Sequence, residues 1–331
     1  MVRAWHLASR PVAAPTLENF VLKDIAQPAL EPGTVRIRNL WLSVDPYMRP
    51  RMNDVKSYVP PFAIGEPLDG PALGEIVESR AEGFAPGELV RHMLGWRDEA
   101  IAPAAAITRL RTLSVETPPQ AFMSYLGGTG ATAYFGLTDI GQPKSGETIF
   151  ISAAAGAVGS IAVQLAKAQG LYVIGSAGGA EKCAWVRGLG ADATIDYKSP
   201  GALIDKVQRA APKGVDIYFD NVGGEHLDAA LAHANDHARF VICGMIDSYN
   251  NPAPATLHYI SRVIFRRITM RGFLLTEYLH RMDEFFAAMA PLIASEKIKA
   301  HETVFNGLEA MPAAFLALFS GGNRGKMLVK L

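Results

Sequence analysis

The sequence predicts an α/β protein of two domains, in which a mainly β region precedes a doubly wound parallel sheet. Its 331 residues exceed the ordinary size of a single domain. The first ~125 residues contain short apolar runs that Pro and Gly interrupt, a pattern typical of β structure. Beyond Ala121, apolar strands alternate with helix-period segments, which indicates right-handed βαβ units and a parallel sheet covered on both faces.

Each element follows from a local pattern. In the β region, short apolar runs predict strands at Thr34–Leu40, Leu73–Glu78 and Glu88–Met93. In the second region, apolar runs predict six strands, at Thr148–Ser152, Tyr172–Ser176, Ala193–Asp196, Val215–Asp220, Phe240–Gly244 and Ile268–Phe273. The segments between these strands predict helices at Val158–Gln169, Ala180–Leu189, Ala202–Ala210 and Glu225–Ala234.

The end of the chain sets the domain boundaries. A long helix is predicted at Glu277–Ser295, and a final strand at Lys326–Leu331 is able to pair within either domain. If that strand joins the first domain, the domain is discontinuous in sequence. We predict one domain at residues 1–124 with 297–331, and a second domain at residues 125–296.

Composition excludes several function classes. Lys plus Arg and Asp plus Glu number 32 each, so no charge excess favours nucleic acid or an anionic membrane as a partner. The stretch Met1–His6 has no apolar run behind it, and no segment reaches the ~18 uninterrupted apolar residues of a membrane span. Only Cys183 and Cys243 are present, which favours a reduced, cytoplasmic setting.

A glycine-rich segment follows the first strand of the parallel sheet. Residues 154–159 read Ala-Ala-Gly-Ala-Val-Gly and open a helix. Gly156 lets the backbone approach a pyrophosphate, Gly159 lets the helix pack on the strand, and the helix N-terminus attracts phosphates. This context indicates a Rossmann dinucleotide-binding domain; the alternative is a plain strand–helix turn with small residues for packing. The predicted cofactor-binding residues of this segment are Ala155, Gly156, Ala157, Val158 and Gly159.

The second strand indicates which coenzyme is bound. NAD sites usually place Asp or Glu at the tip of this strand to hold the ribose 2′-hydroxyl, but here the tip carries the small, polar Ser176. Lys182 lies in the first turn of the next helix, and Tyr197 follows the third strand. These two side chains are a cation and a hydroxyl donor, which suit a 2′-phosphate. NADPH is therefore favoured. The alternative for Lys182 is an ordinary solvated helix residue. The acidic Glu181 beside it argues against a phosphate site unless its side chain points to solvent.

No metal site is predicted. Zinc alcohol dehydrogenases of similar layout need Cys, His and Glu ligands, and neither cysteine has metal-ligand spacing to a histidine. His233 and His237 are four residues apart and could share a helix face, but the helix runs into Asn-Asp-His there, which favours an exposed helix end over a metal site. The other histidines are interpreted as structural or surface residues: His6, His92, His226, His258, His280 and His301. Hydrogen-bond donors must therefore stabilise any oxyanion.

Several stretches together carry a family resemblance. They occur in family order over nearly the whole chain: Leu42–Arg49, Thr132–Leu137, Ser152–Gly159, Phe219–Gly224, Ile242–Asn250 and Gly322–Lys326. The chain resembles the zinc-independent medium-chain dehydrogenase/reductases, especially the group of prostaglandin, 2-alkenal and curcumin reductases. The resemblance implies a GroES-like substrate domain beside the Rossmann domain, an active site in the cleft between them, and a homodimer.

The resemblance also implies an activity and a set of site residues. The activity is NADPH-dependent reduction of the carbon–carbon double bond of α,β-unsaturated ketones or aldehydes. By position, Lys182 and Tyr197 match residues that hold the 2′-phosphate. Residues that match cofactor-lining positions are Asn221, Cys243, Gly244, Met245, Tyr249, Phe273, Leu274, Leu275 and Asn323. In one departure, Gly128-Thr-Gly130 stands where relatives usually carry Met-Pro-Gly, which changes the expected substrate pocket.

A mechanism follows as a hypothesis. Hydride transfer to the β-carbon of an enone leaves an enolate, and Tyr249 is our candidate donor to its oxygen; the alternative is that Tyr249 only packs against the cofactor. Tyr47 is a candidate to line the substrate pocket, or else a turn residue of the domain core. Two other functions stay open: a quinone reductase or alcohol dehydrogenase, and a non-catalytic NADPH-binding protein.

Overall fold

The chain divides into two units in the computed structural model, which describes residues 1–113, 116–251, 253 and 255–331. Unit 1 comprises Met1–Met123 and Glu302–Leu331, and unit 2 comprises Ser124–His301. None of the helices in the described part of the chain is both long and apolar enough to cross a bilayer.

Unit 1 begins with a mainly β segment. Its strands are β1 (Val2–Leu7), β2 (Phe20–Ile25), β3 (Thr34–Ser43), β4 (Ala72–Ser79), β5 (Leu89–His92), β6 (Glu99–Pro103) and β7 (Thr108–Arg109). One short helix, α1 (Met48–Arg51), follows β3, and single 3-10 turns lie at Leu17–Asn19, Ala104–Ala106 and Pro119–Met123. The three strands predicted in this region are confirmed, with β3 three residues longer because its apolar pattern continues through the buried Leu42.

Unit 2 alternates strands with helices. Its strands are β8 (Thr148–Ile151), β9 (Tyr172–Ala177), β10 (Ala193–Asp196), β11 (Val215–Asp220), β12 (Ala234–Ile242) and β13 (Thr269–Gly272). Its α-helices are α2 (Gly128–Phe135), α3 (Ala157–Ala168), α4 (Ala180–Gly188), α5 (Leu203–Ala210), α6 (Gly224–Ala232), α7 (Ile246–Tyr249), α8 (Arg262–Phe265) and α9 (Met282–Ala294). A π-helical segment at Gly136–Gly141 and a 3-10 helix at Leu275–Arg281 complete the unit.

The tail of the chain returns to unit 1 through β14 (Glu302–Asn306), a 3-10 turn at Leu308–Ala310, α10 (Met311–Phe319) and β15 (Lys326–Lys330). β15 pairs antiparallel with β3 and parallel with β14. The final strand therefore pairs within unit 1, which makes that unit discontinuous in sequence. Its buried Lys326 donates to the Asp45 carboxylate and to the Val44 carbonyl, both at 2.8 Å, and this fixes β15 beside the turn after β3.

The sheet of unit 2 has the predicted doubly wound form. Its order is β10-β9-β8-β11-β12-β13, and every adjacent pair is parallel. Strand β8 is fully buried, and β11 is buried except at the half-buried Asp216, as their apolar runs predict for a parallel sheet. The stacked rings of Phe150 and Tyr218, 5.2 Å apart, lie in its core beside Phe240.

Two predicted elements of unit 2 were wrong in their bounds. The helix expected to reach Ala234 ends at Ala232, and β12 begins at Ala234 instead of Phe240. Ala234 pairs with Val215, and His237 takes φ 60° with its N–H bonded to the Arg266 carbonyl, which produces an irregular register. The sequence does not indicate this strand, because Asn235 and Asp236 are residue types typical of turns.

The helix expected at Glu277–Ser295 is a 3-10 helix followed by α9. The break lies at Arg281, whose φ of −107° and ψ of 14° leave the α-helical region. Tertiary contacts stabilise this geometry. The Tyr278 ring stacks on Phe135 with 4.7 Å between centroids, and Arg281 forms a bidentate salt bridge with Asp139. Such long-range contacts are invisible to helical periodicity.

Candidate dinucleotide-binding and active site

The predicted cofactor residues of unit 2 lie along one edge of its sheet. Because all six strands run parallel, their carboxyl ends meet at the same edge. The strand order reverses between β8 and β11, and open α/β sheets bind ligands at such a switch point. The glycine-rich segment at residues 154–159, hereafter the fingerprint, follows β8, and Lys182 lies on the helix after β9. The other predicted residues follow the remaining strands: Tyr197 after β10, Asn221 after β11, Cys243–Tyr249 after β12 and Phe273–Leu275 after β13.

The fingerprint has the geometry that close approach of a phosphate requires. Gly156 is the N-cap of α3 in an extended conformation, and Ala157 and Val158 form the first turn, where helix N–H groups lack intrahelical acceptors. A Cβ on Gly159 would lie 2.3 Å from the Ala153 carbonyl oxygen, so only glycine lets α3 pack this closely on the turn. The predicted helix start is confirmed within one residue.

The open side of this turn fits a dinucleotide. A Cβ built on Gly156 meets only the Ala153 carbonyl, at 3.1 Å, so the space beyond it is available to a ligand. Gly156, Ala157 and Val158 are half-buried, whereas Ala155 is buried against the sheet. Bound there, a pyrophosphate would accept hydrogen bonds from the first turn of α3. NADPH would supply hydride to a substrate held at this edge.

Two turns beside the fingerprint form a cationic pocket. The tip of β9 is Ala177 followed by Gly178 and Gly179, and no acid stands there. A Cβ on Gly178 would lie 2.8 Å from the Tyr197 hydroxyl and 3.0 Å from Lys198 Cε, so both side chains cover this backbone. Burial lowers the pKa of Lys182, and the neighbouring Lys198 charge lowers it further. An anion between the two lysines would relieve that repulsion, and a 2′-phosphate is such an anion.

A buried histidine supports the Tyr197 ring. His226 lies on α6 with its ring edge-on to Tyr197, 5.4 Å between centroids, and its Nε2 is 2.9 Å from Ser176 Oγ. The Phe150 ring stacks on its other side at 6.3 Å. Burial lowers the pKa of His226 to about 4, so the imidazole is neutral at physiological pH. The interpretation of His226 as a structural or surface residue does not anticipate its contact with a predicted site residue.

A buried carboxyl organises the switch point. Asp220 Oδ1 accepts hydrogen bonds from Ser152 Oγ, the Tyr218 hydroxyl, and the Val222 and Gly223 N–H groups, at 2.7–3.2 Å. Burial nevertheless raises the pKa of Asp220. Asn221 is held in turn by Ser152, because its N–H donates to Ser152 Oγ and its Nδ2 to the Ser152 carbonyl, both at 2.8 Å. Neither Ser152 nor Asp220 was predicted as a site-forming residue.

The segment after β12 places Tyr249 near the end of the strand. The Cys243 and Gly244 N–H groups donate to the Asp220 carbonyl at 2.9 and 3.0 Å, which turns the chain across the sheet edge. A Cβ on Gly244 would lie 3.6 Å from the Tyr249 hydroxyl, so this hydroxyl lies close to the glycine. Burial raises the pKa of Cys243 to about 12, so its thiol is neutral at physiological pH.

The last strand of the sheet adds the apolar part of the edge. Phe273 is buried and lies edge-on to Tyr278, while Leu274 and Leu275 are half-buried. A Cβ on Gly128 would lie 3.3 Å from Leu275 Cδ2. A larger residue at position 128 would therefore displace a predicted cofactor-lining side chain, which gives the Gly128 departure a physical consequence.

Two predicted residues belong to unit 1. Tyr47 is half-buried at the N-cap of α1 and packs against the core of that unit. Burial, and then the Asp45 charge, raise the pKa of Tyr47, which keeps its phenol protonated. Asn323 is half-buried and donates from Nδ2 to the Gly325 carbonyl at 2.9 Å. Their assignments to substrate and cofactor remain predictions.

The histidines and cysteines do not converge. Across residues 1–113, 116–251, 253 and 255–331, no group of three or more His, Cys, Asp or Glu side chains is arranged to hold a metal ion. His233 and His237 do not share a helix face, because His233 follows α6 and His237 lies on β12. His233 is also not exposed: its Nε2 is 3.0 Å from the Ile204 carbonyl.

Comparison with known proteins identifies both parts of the chain. Residues 3–110 match the model described as the N-terminal domain of oxidoreductase, and residues 157–295 match the model described as zinc-binding dehydrogenase.

Characterised relatives match over most of their length. The NADPH-dependent curcumin reductase of Escherichia coli is 40% identical over 99% of this chain and 96% of its own. The NADP-dependent 2-alkenal reductase of Nicotiana tabacum is 40% identical over 89% of this chain and 86% of its own. The crystal structure of CurA from Vibrio vulnificus in complex with NADPH superposes with a TM-score of 0.94, at 40% identity over 99% of this chain and 98% of that one.

The buried His226 predicts a pH-dependent stability. Its pKa of about 4 lies below the value of about 6.5 in the unfolded chain, so the unfolded state binds more protons between these values. The contribution of the neutral imidazole to the free energy of unfolding is therefore fully present above pH ~6.5. About 3 kcal/mol of it is lost as the pH falls toward 4. We expect His226→Gln to show a shallower loss of urea stability from pH 7 to 4.5 than the unchanged protein. Ser176→Ala is the control and should keep the steep slope; equal slopes in all three would contradict the assignment.

Proposed function

The chain belongs to the zinc-independent medium-chain dehydrogenase/reductases, and we propose that it uses NADPH to reduce the carbon–carbon double bond of α,β-unsaturated ketones and aldehydes. The observation that carries the coenzyme is the pair of turns in which Lys198 and the Tyr197 hydroxyl both approach Gly178, while the Lys198 charge also acts on Lys182. The observation that carries the substrate class is 40% identity to curcumin and 2-alkenal reductases.

The coenzyme contacts follow from the carboxyl edge of the unit 2 sheet. The first turn of α3 would bind the pyrophosphate through its N–H groups, and Lys182 with Tyr197 would bind the 2′-phosphate. Asn221, fixed by Ser152, is placed to orient the coenzyme at the switch point. The remaining predicted contacts are assigned by position to Cys243, Gly244, Met245, Phe273, Leu274, Leu275 and Asn323.

The chemistry needs a donor where negative charge develops. Hydride addition to the β-carbon of an enone moves an electron pair to the carbonyl oxygen, and a hydrogen-bond donor aimed at that oxygen lowers the barrier. Tyr249 is the donor we assign, because its hydroxyl lies close to Gly244 at the carboxyl edge. Tyr47 is assigned to the wall of the substrate pocket as a protonated phenol. The α-carbon then takes its proton from Tyr249 or from water.

The location we assign is the cytoplasm, and the assembly is a homodimer. Both cysteines are free thiols, which is typical of proteins in reducing compartments.

The dimer interface that we assign lies at β13. This is the last strand of the sheet, and Ile264 and Phe265 just before it are 76% and 68% exposed. A second copy that pairs β13 with its own β13 about a two-fold axis would cover both the strand edge and these side chains.

The coenzyme and substrate are tested together by turnover. We expect NADPH oxidation with enals and enones of increasing chain length, faster than with a quinone and faster than NADP⁺ reduction with an alcohol. Lys182→Ala should raise the KM for NADPH about tenfold or more, since it removes a charge-assisted hydrogen bond, and should leave kcat nearly unchanged. The control is Lys213→Ala, an exposed lysine outside the pocket. Stoichiometric NADPH binding without consumption would favour a non-catalytic protein, and turnover of the quinone alone would favour a quinone reductase.

The role of Tyr249 is tested separately from binding. Tyr249→Phe removes only the hydroxyl, and we expect kcat to fall about a hundredfold with the NADPH dissociation constant unchanged. Tyr172→Phe is the matched control, because Tyr172 is exposed at the opposite end of β9. Unchanged turnover in Tyr249→Phe would assign the donor role to another group, and equal losses of turnover and coenzyme affinity would mean that Tyr249 only packs against NADPH.

The dimer is tested by molar mass. Light scattering after gel filtration should give twice the 35.6 kDa chain mass. The double variant Ile264→Glu with Phe265→Glu should give the chain mass, because two charges would be buried at the contact. Leu279→Glu, at a residue 57% exposed on the 3-10 helix of unit 2, should remain dimeric. A monomeric unchanged protein, or a dimer that survives the double substitution, would refute this interface.

A further inference from the structure

An acidic residue stands beside the pocket that is proposed to receive the 2′-phosphate. Asp196 is the last residue of β10, immediately before Tyr197 and Lys198. A carboxylate in this place would ordinarily repel a phosphate, because like charges at short distance destabilise each other. The structure shows a different use for this carboxylate.

One oxygen of Asp196 joins two turns of the sheet edge. Oδ1 accepts a hydrogen bond from the Gly179 N–H at 2.8 Å and another from the Lys198 N–H at 2.9 Å. Gly179 is the N-cap of α4 and belongs to the turn after β9, whereas Lys198 belongs to the turn after β10. These bonds lower the pKa of Asp196, the bond from Gly179 most, so the carboxylate is ionised at neutral pH.

The backbone of Asp196 is fixed as well. Its carbonyl accepts from Ser199 Oγ at 2.8 Å and from Lys206 Nζ at 3.1 Å, and Lys206 is buried. The Tyr197 N–H donates to the Ala177 carbonyl at 3.3 Å, which continues the pairing of β9 and β10 past their ends. The turn that carries Tyr197 is therefore fixed by hydrogen bonds of its backbone as well as by those of the Asp196 side chain.

The two joined turns carry the groups that distinguish NADPH from NADH. Lys182 is in the first turn of α4, three residues after Gly179. Tyr197 and Lys198 lie on the other turn and approach the Gly178 backbone, as the short distances from a Cβ at that glycine show. The spacing between the lysine of one turn and the hydroxyl of the other depends on how the turns are tied.

We propose that Asp196 is a positioning residue for coenzyme choice, because its carboxylate ties the turn after β9 to the turn after β10 and so sets the 2′-phosphate pocket. This inference rests on the proposed function, in which NADPH is the coenzyme. Asp196 touches no coenzyme atom in this role and acts through Tyr197 and the first turn of α4. NADH lacks the 2′-phosphate, so its binding does not depend on that spacing.

The sign of one substitution separates positioning from repulsion. Asp196→Ala removes both the hydrogen bonds that join the two turns and the negative charge. Loss of positioning would weaken NADPH binding, whereas relief of repulsion would strengthen it. Asp196→Asn removes only the charge, because the amide oxygen still accepts both N–H bonds. Positioning therefore predicts that the asparagine variant keeps the preference for NADPH that the alanine variant loses.

A matched control lies at the other end of the same strand pair. Asp192 also bridges β9 and β10, since its Oδ2 accepts from the Val173 N–H at 2.8 Å and its Oδ1 pairs with Lys167 at 2.6 Å. It precedes β10, whereas Asp196 ends it, so Asp192 lies away from the carboxyl edge. Asp192→Ala removes a comparable structural contact without touching the pocket.

The experiment measures equilibrium binding without substrate. Dissociation constants for NADPH, NADH, 2′,5′-ADP and 5′-ADP are measured by calorimetry for the unchanged protein and the three variants, with melting temperatures as a check of folding. We expect Asp196→Ala to raise the dissociation constants of NADPH and 2′,5′-ADP about tenfold. The dissociation constants of NADH and 5′-ADP should change less than twofold. Asp196→Asn and Asp192→Ala should keep the NADPH to NADH ratio within about threefold. If Asp196→Ala does not purify folded, Asp196→Val takes its place, because valine suits a strand end and its side chain has no acceptor for either N–H group.

Other outcomes decide against the proposal. Equal weakening of the phosphorylated and unphosphorylated ligands in Asp196→Ala would mean a general structural role, and tighter NADPH binding would mean repulsion. A shift of the ratio in Asp192→Ala as large as that in Asp196→Ala would also overturn it. If the unchanged protein did not prefer NADPH, the proposed coenzyme itself would fail, which is a different result from a preference that survives Asp196→Ala.

Discussion

The parallel register of the unit 2 sheet is the constraint on which the candidate site depends. It brings the ends of six strands to one edge, so segments distant in sequence become neighbours without a special contact to join them. The fingerprint at Gly156, the lysine on α4 and the loop that ends at Tyr249 share this edge only because β8, β9 and β12 point the same way. One antiparallel strand in the middle of this order would send its loop to the opposite edge.

Buried polar groups then fix each loop on that edge. Asp220 collects four donors at the switch point, and through Ser152 it also sets the position of Asn221. His226 does the same on the outer half of the sheet, between Ser176 and the Tyr197 ring. Such groups are desolvated and hydrogen-bonded in one arrangement, so they define loop geometry more sharply than apolar packing does.

The parts of this arrangement that sequence could predict are those with local causes. The fingerprint, each strand and helix of the alternation, and the absence of an acid at the tip of β9 are each encoded in a short local stretch of sequence. The early start of β12 and the 3-10 helix before α9 were not predictable in this way, because His237 and Arg281 take their conformations from contacts with distant segments. Asp220, His226 and Asp196 were missed for the same reason: an isolated Asp or His carries no pattern.

Coenzyme choice shows how the local and the distant causes combine. In an NAD site, the acid at the tip of the second strand accepts hydrogen bonds from the ribose. Here that tip is Ala177, and an acid stands instead at the tip of the neighbouring strand, with one oxygen already bonded to two backbone N–H groups. The same residue type thus has different partners one strand apart: the ribose in an NAD site, and the backbone of two turns here. In our proposal, the preference for a phosphate depends on the cations and the hydroxyl around this carboxylate, and on the hydrogen bonds that hold the turns that carry them.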